Sequence, residues 1–322
     1  MILTSHASSG KIAGMKRALF LSVIAVSGCA STDGYKVARD CAHCPEMVVI
    51  PAGAAILGAG ADDKFRNADE LPERTFTIRE SFLVSRYEIT LDQYEAFVRA
   101  TNRPVGGDCL TDRRKHGDWQ YDAATTFRDP GFEQGGNHPV ACVNWDEAQA
   151  YVAWLNTQTG GGYRLLTEVE WEYVARGGAT QNFAYPWGND PARGCLFANA
   201  FDRTTMLAYA SMDTSGYKVF DPMDCSDDRL NTSPVGSLKL NSFGVHDIIG
   251  NVAEWVEDCY SATRENLSDS GAPPAQTTCA KRLAKGGSWG TLAHNVRIAE
   301  RLPYAGTHRD DSIGIRVAKT LR

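Results

Sequence analysis

The chain lacks an excess of positive charge. Its 322 residues carry 33 lysines and arginines against 39 aspartates and glutamates, which gives a formal net charge of −6. A continuous basic run is present only as the triplet Arg113-Arg114-Lys115. A general nucleic-acid-binding protein presents a larger basic face than this. We therefore expect no nucleic-acid partner.

The sequence also lacks an apolar run long enough to span a bilayer as a helix, which needs about 20 residues. The run Ala18–Val26 is far shorter, and it follows the basic pair Lys16-Arg17. This pattern is typical of a signal peptide, which we predict over residues 1–28. Residues 1–14 have no signal-peptide character, so Met15 is an alternative start of translation.

The predicted signal ends in Val26-Ser27-Gly28-Cys29, which resembles a bacterial lipobox. In that motif small residues admit the signal peptidase, and Cys29 receives the lipid. The alternative is an ordinary cleaved signal followed by an accidental cysteine. Ala30, rather than Asp, favours the outer membrane. We expect an exported, lipid-anchored protein of the cell envelope that faces the periplasm, with residues 29–45 as a tether.

Apart from Cys29, the chain has eight cysteines. An even number in an exported protein indicates disulfides, and our hypothesis pairs nearest neighbours, although the sequence does not settle the connectivity. The Cys41-Ala42-His43-Cys44 segment has thioredoxin-like spacing, but no strand–helix context follows it, so we interpret it as a structural bridge. The predicted pairs are Cys109 with Cys142, Cys195 with Cys225, Cys259 with Cys279, and Cys41 with Cys44.

Three segments carry a complete helix-start signal, in which a polar cap is followed three residues later by Glu or Gln. Residues 102–137 are polar and rich in glycine, and they predict a long surface insertion. Beyond Pro186 the helical signal mostly disappears, which leaves short strands and long loops. The pattern predicts one α+β domain over residues 46–320. The three capping pairs are Thr90 with Gln93, Asn144 with Glu147, and Thr167 with Glu170.

Eight short motifs follow one another along this domain. They are Met47–Gly53, His138-Pro139-Val140, Arg164–Tyr173, Tyr185–Gly188, Phe243–Asp247, Gly250–Trp255, Gly286–Trp289 and Gly314-Ile315-Arg316. Together they resemble the formylglycine-generating enzymes, or sulfatase-modifying-factor domain. The resemblance implies an α+β fold, a C-type-lectin-like variant with little regular secondary structure. The family also holds ergothioneine-type sulfoxide synthases and pyoverdine-maturation enzymes, so membership does not fix the function.

The chain lacks the pair of cysteines on which formylglycine formation depends. The resemblance implies a copper ion held by two thiolates, ligands that suit soft Cu(I), just after the Gly286-Gly287-Ser288 turn. Counted from Ser288, the two positions are Thr291 and Val296, and no cysteine follows Cys279. We therefore expect neither bound copper nor copper-dependent formylglycine formation.

The resemblance places a substrate groove around the same turn. Arginines in such a groove offer guanidinium forks to a carboxylate or to peptide carbonyls. An alternative is that these arginines pair with Glu254, Glu300 or Asp310 and only connect loops. The groove candidates are Ser288, Trp289, Asn295, Arg297, Arg301 and Arg316.

The resemblance also implies structural calcium, a cation that prefers several oxygen ligands in irregular loops. The alternative to calcium binding is that Asp247 caps a turn and Glu254 pairs with an arginine. The first predicted site takes the side chains of Asp247 and Glu254 with the carbonyls of Gly250 and Val252. The second takes Asn199, the Ala200 carbonyl, and Asp227 or the adjacent Asp228.

Three functional hypotheses follow from the sequence. The first is an envelope lipoprotein that binds or helps assemble a peptide or protein partner without forming formylglycine. A second is an oxidoreductase that acts on a peptide or secondary metabolite, as in the pyoverdine-maturation branch. The third is a metal-dependent oxygenase built from scattered histidines. These histidines are His116, His138, His246, His294 and His308.

Overall fold

A computed structural model describes residues 29–30, 34–112, 119–209, 222–264 and 279–321. The predicted signal peptide, residues 1–28, lies outside these ranges, so lipidation at Cys29 stays a prediction. Within the ranges, none of the helices combines the length and the apolar character that crossing a membrane requires.

The described residues form short strands and few helices. In chain order the strands are β1 (Cys29–Ala30), β2 (Lys36–Ala38), β3 (Met47–Ile50), β4 (Gly53–Leu57), β5 (Arg74–Ile78), β6 (Phe82–Ser85), β7 (Cys109–Thr111), β8 (Gln120–Asp122), β9 (Tyr163–Leu165), β10 (Ala253–Cys259), β11 (Arg282–Lys285), β12 (Leu302–Tyr304), β13 (Ile313–Gly314) and β14 (Val317–Thr320). The helices are α1 (Leu91–Thr101), α2 (Trp145–Thr159), α3 (Glu168–Arg176) and α4 (Arg203–Tyr209), with 3-10 turns at Ala68–Glu70 and Pro191–Leu196. The α+β prediction is confirmed.

Two sheets organise the domain. The larger has the order β1-β2-β3-β6-β14-β9 with antiparallel neighbours, so a strand from the end of the chain lies between early strands. The smaller has the order β12-β11-β10-β13, in which only β10 and β13 run parallel. Because β11 ends at Lys285, this sheet leads directly into the buried Gly286-Gly287-Ser288 turn, around which the sequence predicts the functional site.

The three predicted helix starts are confirmed. At α1, Thr90 Oγ1 accepts from the Gln93 backbone N–H at 3.3 Å, and the Gln93 side chain accepts from the Thr90 N–H at 3.0 Å. The same reciprocal pair opens α2 and α3. Since each pair satisfies two backbone donors that the helix itself cannot bond, the local sequence is sufficient to fix where these helices begin.

The predicted tether is wrong for residues 36–45, which belong to the folded domain. Strand β2 pairs with β3, and Asp40 Oδ2 accepts from Tyr163 Oη at 2.7 Å and from Lys319 Nζ at 2.5 Å. A three-residue strand carries little periodicity of its own, and the residues that bond to Asp40 are distant in sequence. The tether prediction therefore missed it.

The predicted surface insertion, residues 102–137, is also partly wrong. Strands β7 and β8 pair within it, and Cys109 and Phe127 are buried. Leu110 N donates to the Arg309 carbonyl at 2.9 Å, and Asp311 N donates to the Leu110 carbonyl at 3.0 Å. This segment is therefore fixed against the loop before β13. Helix α4 was not predicted.

All four nearest-neighbour disulfides are present in the structure. They join Cys41 to Cys44, Cys109 to Cys142, Cys195 to Cys225, and Cys259 to Cys279, with sequence separations of 3, 33, 30 and 20. Three of them close long loops, which suits a fold with little regular structure because a cross-link restricts the unfolded chain more when the loop is longer.

Candidate functional site

The turn after β11 depends on two glycines. Gly286 and Gly287 have φ of 94° and 66°, in the left-handed region that glycine enters at little cost. A Cβ on Gly286 would lie 3.0 Å from the Ile248 carbonyl oxygen and from the Trp171 ring. The chain therefore reverses closely against the core and presents Ser288 and Trp289 next.

The side chains of Thr291 and Val296 both lie close to Gly287. A Cβ added to Gly287 would be 3.0 Å from the Cγ2 atom of each residue. The fold thus brings together the two positions where the resemblance implies copper-binding cysteines. Here they carry a hydroxyl and a buried isopropyl group, which provide no thiolate.

Thr291 takes part in a small hydrogen-bond network with Ser288 and Gly290. Thr291 Oγ1 accepts from the Ser288 N–H at 2.9 Å and lies 3.1 Å from Ser288 Oγ. The Gly290 N–H donates to Ser288 Oγ at 3.4 Å. These two hydroxyls stabilise the tight turn itself, and Thr291 is only half-buried.

An aromatic wall, defined as Trp119, Phe132 and Trp289, flanks this turn. The ring centroids of Trp119 and Phe132 lie 6.1 Å and 5.7 Å from that of Trp289. Trp289 is 2% exposed, whereas Trp119 is 40% exposed. Two of the three rings come from the segment that the sequence predicts as a mere insertion. The available signal was the presence of large aromatics in an otherwise polar, Gly-rich stretch.

A cavity of about 730 Å³ opens beside the aromatic wall. It is lined by residues from 128 to 138, including Phe132, Gln134 and His138. His138 Nδ1 lies 3.0 Å from Thr232 Oγ1, and burial lowers the pKa of this histidine. The cavity therefore offers a neutral imidazole and an aromatic edge within a largely polar lining.

Asp311 is buried next to the aromatic wall. Its carbonyl oxygen lies 3.5 Å from Trp289 Nε1, and its side-chain Oδ1 is buried without a hydrogen-bond partner among the described residues. Burial raises the pKa of this carboxyl well above its ordinary value, and the charges of Asp310 and Asp112 add to the rise. Such a group is a candidate for proton transfer, and the sequence analysis did not single it out.

The three groove arginines do not face a groove. Each is at most 5% exposed and bonds to carboxylates of the core. Arg316 Nε donates to Glu254 at 2.7 Å, and Arg301 Nε donates to Glu168 at 2.8 Å. The alternative interpretation, in which these arginines connect loops, is therefore the one that the structure shows, because a buried charge needs a partner of opposite sign.

Arg297 is the most extensively paired of the three. Its guanidinium contacts Glu70 at 2.7 Å, Glu300 at 2.5 Å and Asp63 at 2.8 Å. It thereby ties the loop after Thr291 to the 3-10 turn at Ala68–Glu70, more than two hundred residues earlier in the chain. Of the remaining groove candidates, Asn295 is half-buried on the same loop.

The arginines belong to a larger charge network under the turn. Lys285 Nζ donates to Glu172 at 2.9 Å, and Arg264 donates to Glu168 at 2.8 Å. Burial opposes the ionisation of Glu172, but Lys285, Arg264 and Arg176 outweigh it and lower its pKa to about 2. The charge network comprises Glu70, Glu168, Glu172, Arg176, Arg264, Lys285, Arg297, Glu300 and Arg301.

The first predicted calcium site fits a cation in part. Asp247 Oδ2 accepts from the Gly236 N–H at 2.6 Å, while Oδ1 is buried without a partner among the described residues. Glu254 is fully engaged, since it accepts from Arg316 and from Trp171 Nε1, both at 2.7 Å. Asp247 therefore has an oxygen to give to a cation, and Glu254 would have to share its oxygens with Arg316.

At the second predicted calcium site, the structure distinguishes the two aspartates between which the sequence does not decide. Asp227 Oδ2 is buried without a partner within the described ranges, whereas Asp228 is exposed. Asp227 N donates to Asp202 Oδ2 at 2.6 Å, and burial raises the pKa of Asp227 to about 7. Asn199 Nδ2 donates to the Asn231 carbonyl at 2.9 Å, and Ala200 is buried. Asp227 is the better candidate.

The histidines give no metal site in the part of the chain that the structure describes. No group of three or more His, Cys, Asp or Glu residues there is arranged to hold a metal ion. His138 contacts Thr232, His246 Nδ1 lies 2.8 Å from the Leu238 carbonyl, and His308 Nδ1 lies 2.8 Å from Tyr121 Oη. His116 lies outside the described residues.

Residues 35–321 match the family described as "Sulfatase-modifying factor enzyme 1-like domain". The chain is 31% identical to the formylglycine-generating enzyme of Thermomonospora curvata, over 79% of this chain and 87% of that protein. The chain therefore belongs to the sulfatase-modifying-factor family. The matched range begins before residue 46, in agreement with the folded position of β2.

Two further similar proteins cover most of the chain. The "Inactive C-alpha-formylglycine-generating enzyme 2" of Mus musculus is 26% identical, over 86% of each chain. Among solved structures, PvdO from Pseudomonas aeruginosa is 33% identical with a TM-score of 0.73, and the match covers 88% of this chain and 98% of PvdO. The similarity therefore extends over nearly the whole domain.

Proposed function

We propose that this protein is an exported envelope lipoprotein that binds a peptide or protein partner on a sulfatase-modifying-factor domain without forming formylglycine. The observation that carries the proposal is that the side chains of Thr291 and Val296 both lie close to Gly287. These side chains cannot provide the two thiolates that hold Cu(I). A relative whose name includes "inactive" supports the idea that the fold persists without that chemistry.

The aromatic wall and the adjoining cavity form the surface that we assign to the partner. Trp119 and Tyr121 are 40% and 57% exposed, and exposed aromatics of this kind provide large contact areas at protein interfaces. Phe132 connects the wall to the cavity. A peptide segment lying across the wall would insert a side chain into the cavity beside Phe132.

Photo-crosslinking in intact cells tests this assignment. A photoreactive amino acid replaces Trp119, and the control places it at Val49, which is 49% exposed on the six-stranded sheet. We expect a discrete peptide or protein adduct from position 119 and none from position 49. Equal labelling at the two positions, or none at position 119, would contradict the assignment.

Anchoring is tested separately through Cys29. The variant Cys29→Ser removes the atom that we expect to carry the lipid. We expect this variant to leave the membrane fraction or to accumulate as an unprocessed precursor. If labelled fatty acid does not enter the wild-type protein, the lipoprotein part of the proposal fails while the binding surface is unaffected.

Calcium would stabilise the loops of this domain by binding Asp247 and, at the second site, Asp227. The carbonyls of Gly250 and Val252 would complete the first site, as the family resemblance implies. Each aspartate has one buried oxygen without a partner among the described residues, and a cation would satisfy it. We expect the melting temperature to fall after EGTA treatment and to recover with calcium, and Asp247→Asn to weaken the response. An unchanged melting temperature, with no calcium in elemental analysis, would rule out both sites.

A second candidate function is oxidation of a peptide or secondary metabolite, in the manner of the pyoverdine-maturation branch. The similarity to PvdO over 98% of that chain favours it. Asp311 is the residue that we assign to proton transfer: its backbone carbonyl lies 3.5 Å from Trp289 Nε1, and burial raises the pKa of its carboxyl. Dioxygen would accept the two electrons and two protons that the ligand loses, which gives hydrogen peroxide.

Metabolite profiling distinguishes the two candidates. Cells that carry the wild-type protein, Asp311→Asn or no protein are compared by mass spectrometry. An oxidase predicts a compound two hydrogen atoms heavier that accumulates in both deficient strains. Unchanged profiles, together with retained crosslinking at position 119, would leave the binding function as the one supported.

A further inference from the structure

The Cys41–Cys44 bridge lies in an exposed turn at the start of the folded domain. The Cys44 N–H donates to the Cys41 carbonyl at 3.1 Å and closes the turn. The two residues between the cysteines, Ala42 and His43, are both exposed. Strand β3 follows directly, so the bridge does not start a helix.

The two sulfur-bearing residues are unequally accessible. Cys41 is half-buried, while Cys44 is 0% exposed and packs in the same hydrophobic cluster as Met47. Thiol–disulfide exchange requires a thiolate to reach one sulfur and displace the other. Access therefore selects Cys41 as the sulfur that is attacked and Cys44 as the one that leaves.

The Cys109–Cys142 disulfide, in contrast, is buried at both of its cysteines. Cys109 and Cys142 are 0% and 2% exposed, so neither sulfur is open to an external thiol in the folded domain. That bridge also spans 33 residues, against three for Cys41–Cys44. A long loop restricts the unfolded chain much more than a short one, so the Cys41–Cys44 bridge contributes little to global stability.

Contacts other than the disulfide hold the adjacent chain in place. Asp40 bonds to Tyr163 and Lys319, and strand β2 pairs with β3 through Val37 and Val48. These contacts do not involve either cysteine. The bridge can therefore open while the rest of the domain stays folded.

We propose that Cys41–Cys44 is a thiol-exchange site that accepts an electron pair from an external dithiol. A thiolate of the dithiol attacks Cys41 Sγ, a mixed disulfide forms, and Cys44 leaves as a thiolate with the bonding electron pair. The second thiol of the donor then attacks the mixed disulfide and releases Cys41. The donor is oxidised to a disulfide by two electrons, and Cys41–Cys44 is reduced to two thiols. No residue of the aromatic wall takes part.

A matched pair of variants tests the direction of attack. Cys44→Ser leaves Cys41 as a half-exposed thiol, and Cys41→Ser leaves Cys44 buried. Each purified variant is incubated with oxidised glutathione under native conditions, and the modified peptide is identified by mass spectrometry. We expect a glutathione adduct on Cys41 and none on Cys44, and adducts on both once the proteins are denatured. Adducts on both or on neither in the native state would overturn the proposal.

Graded reduction of the wild-type protein gives a measurement that needs no variant. Samples are equilibrated with increasing dithiothreitol, quenched with N-ethylmaleimide and mapped. We expect Cys41–Cys44 to open at about a tenfold lower dithiothreitol concentration than Cys109–Cys142, with the melting curve nearly unchanged at that point. Opening of both bridges together, or only after unfolding, would show that Cys41–Cys44 is purely structural.

Discussion

The loop from Gly286 to Arg301 has two sides with opposite chemistry. Its inner side is the charge network, in which Arg297 and Arg301 are buried against carboxylates. On the outer side are Trp289, Thr291 and the exposed ring of Trp119, and within the described ranges no ion pair joins the residues of the aromatic wall. The inner side fixes the shape of the loop, so the chemistry of the outer side can change while the fold is kept. We propose that Thr291 and Val296, at the positions where the family resemblance implies two cysteines, are a change of this kind.

The largest effect should come from breaking the inner side. Arg297→Met leaves Glu70, Glu300 and Asp63 as buried carboxyls without their cation. Removing one partner of a buried pair costs about 3–5 kcal/mol, and we expect a loss of that size in urea unfolding. The control is Arg99→Met, since Arg99 is 76% exposed in its pair with Glu95 and should change stability by about 0.5 kcal/mol or less. Equal losses would mean that the network is not a stabilising unit.

The position of the outer side should depend on a disulfide rather than on ion pairs. The disulfide Cys109–Cys142 holds the segment that carries Trp119 and Phe132, and it closes 33 residues. Replacing both cysteines by serine should cost about 3–4 kcal/mol in the loop-entropy model. The same replacement at Cys41 and Cys44 is the matched control and should cost clearly less. If the two double variants melt alike, loop length is not what determines the contribution of these bridges.

A smaller effect, and one of opposite sign, is expected at Asp258. This carboxyl is buried, its Oδ2 accepts from the Glu168 N–H at 2.8 Å, and its Oδ1 has no hydrogen-bond partner among the described residues. Burial, with a contribution from the charge of Glu168, raises its pKa to about 8. When unfolded, the same group ionises near pH 4.

Between these pH values the unfolded chain releases a proton that the folded protein retains, so Asp258 lowers stability as pH rises from about 4 to about 8. Asp258→Asn should remove this loss and be more stable than wild type at pH 8. At pH 4 the two proteins should be nearly equal. Glu80→Gln, at an exposed position, is the control and should show no pH-dependent difference. A constant difference between Asp258→Asn and wild type at all pH values would refute the titration argument.

The sequence predicted those features that depend on contacts between residues close together in the chain. The capping pairs at Thr90, Asn144 and Thr167 were readable because cap and partner are three residues apart. Counting from Ser288 predicted that Thr291 and Val296 belong to one site, and both side chains do lie against Gly287. The family motifs sufficed for the α+β fold, because eight of them occur in order along the chain.

Contacts between distant segments were not predictable in the same way. Arg297 and Glu70 are 227 residues apart, and nothing in the sequence around either residue identifies the other. The same holds for Trp119 and Phe132 against Trp289, and for Asp40, which bonds to Tyr163 and Lys319. The sequence therefore left two interpretations of the groove arginines open, and it did not predict the aromatic wall.

The central proposal is that Thr291 and Val296 occupy the positions where the family resemblance implies two copper-binding cysteines, and that the protein therefore binds no copper. One measurement addresses it: Cu(I) binding, together with the mass change of a cysteine-containing sulfatase peptide, for wild type and for the double variant Thr291→Cys/Val296→Cys. We expect no tight Cu(I) binding and no peptide conversion by wild type. The double variant should bind about one Cu(I), because both side chains lie close to the same point at Gly287. Peptide conversion by the wild-type protein above a no-enzyme control would contradict the claim, as would a folded double variant that binds no copper.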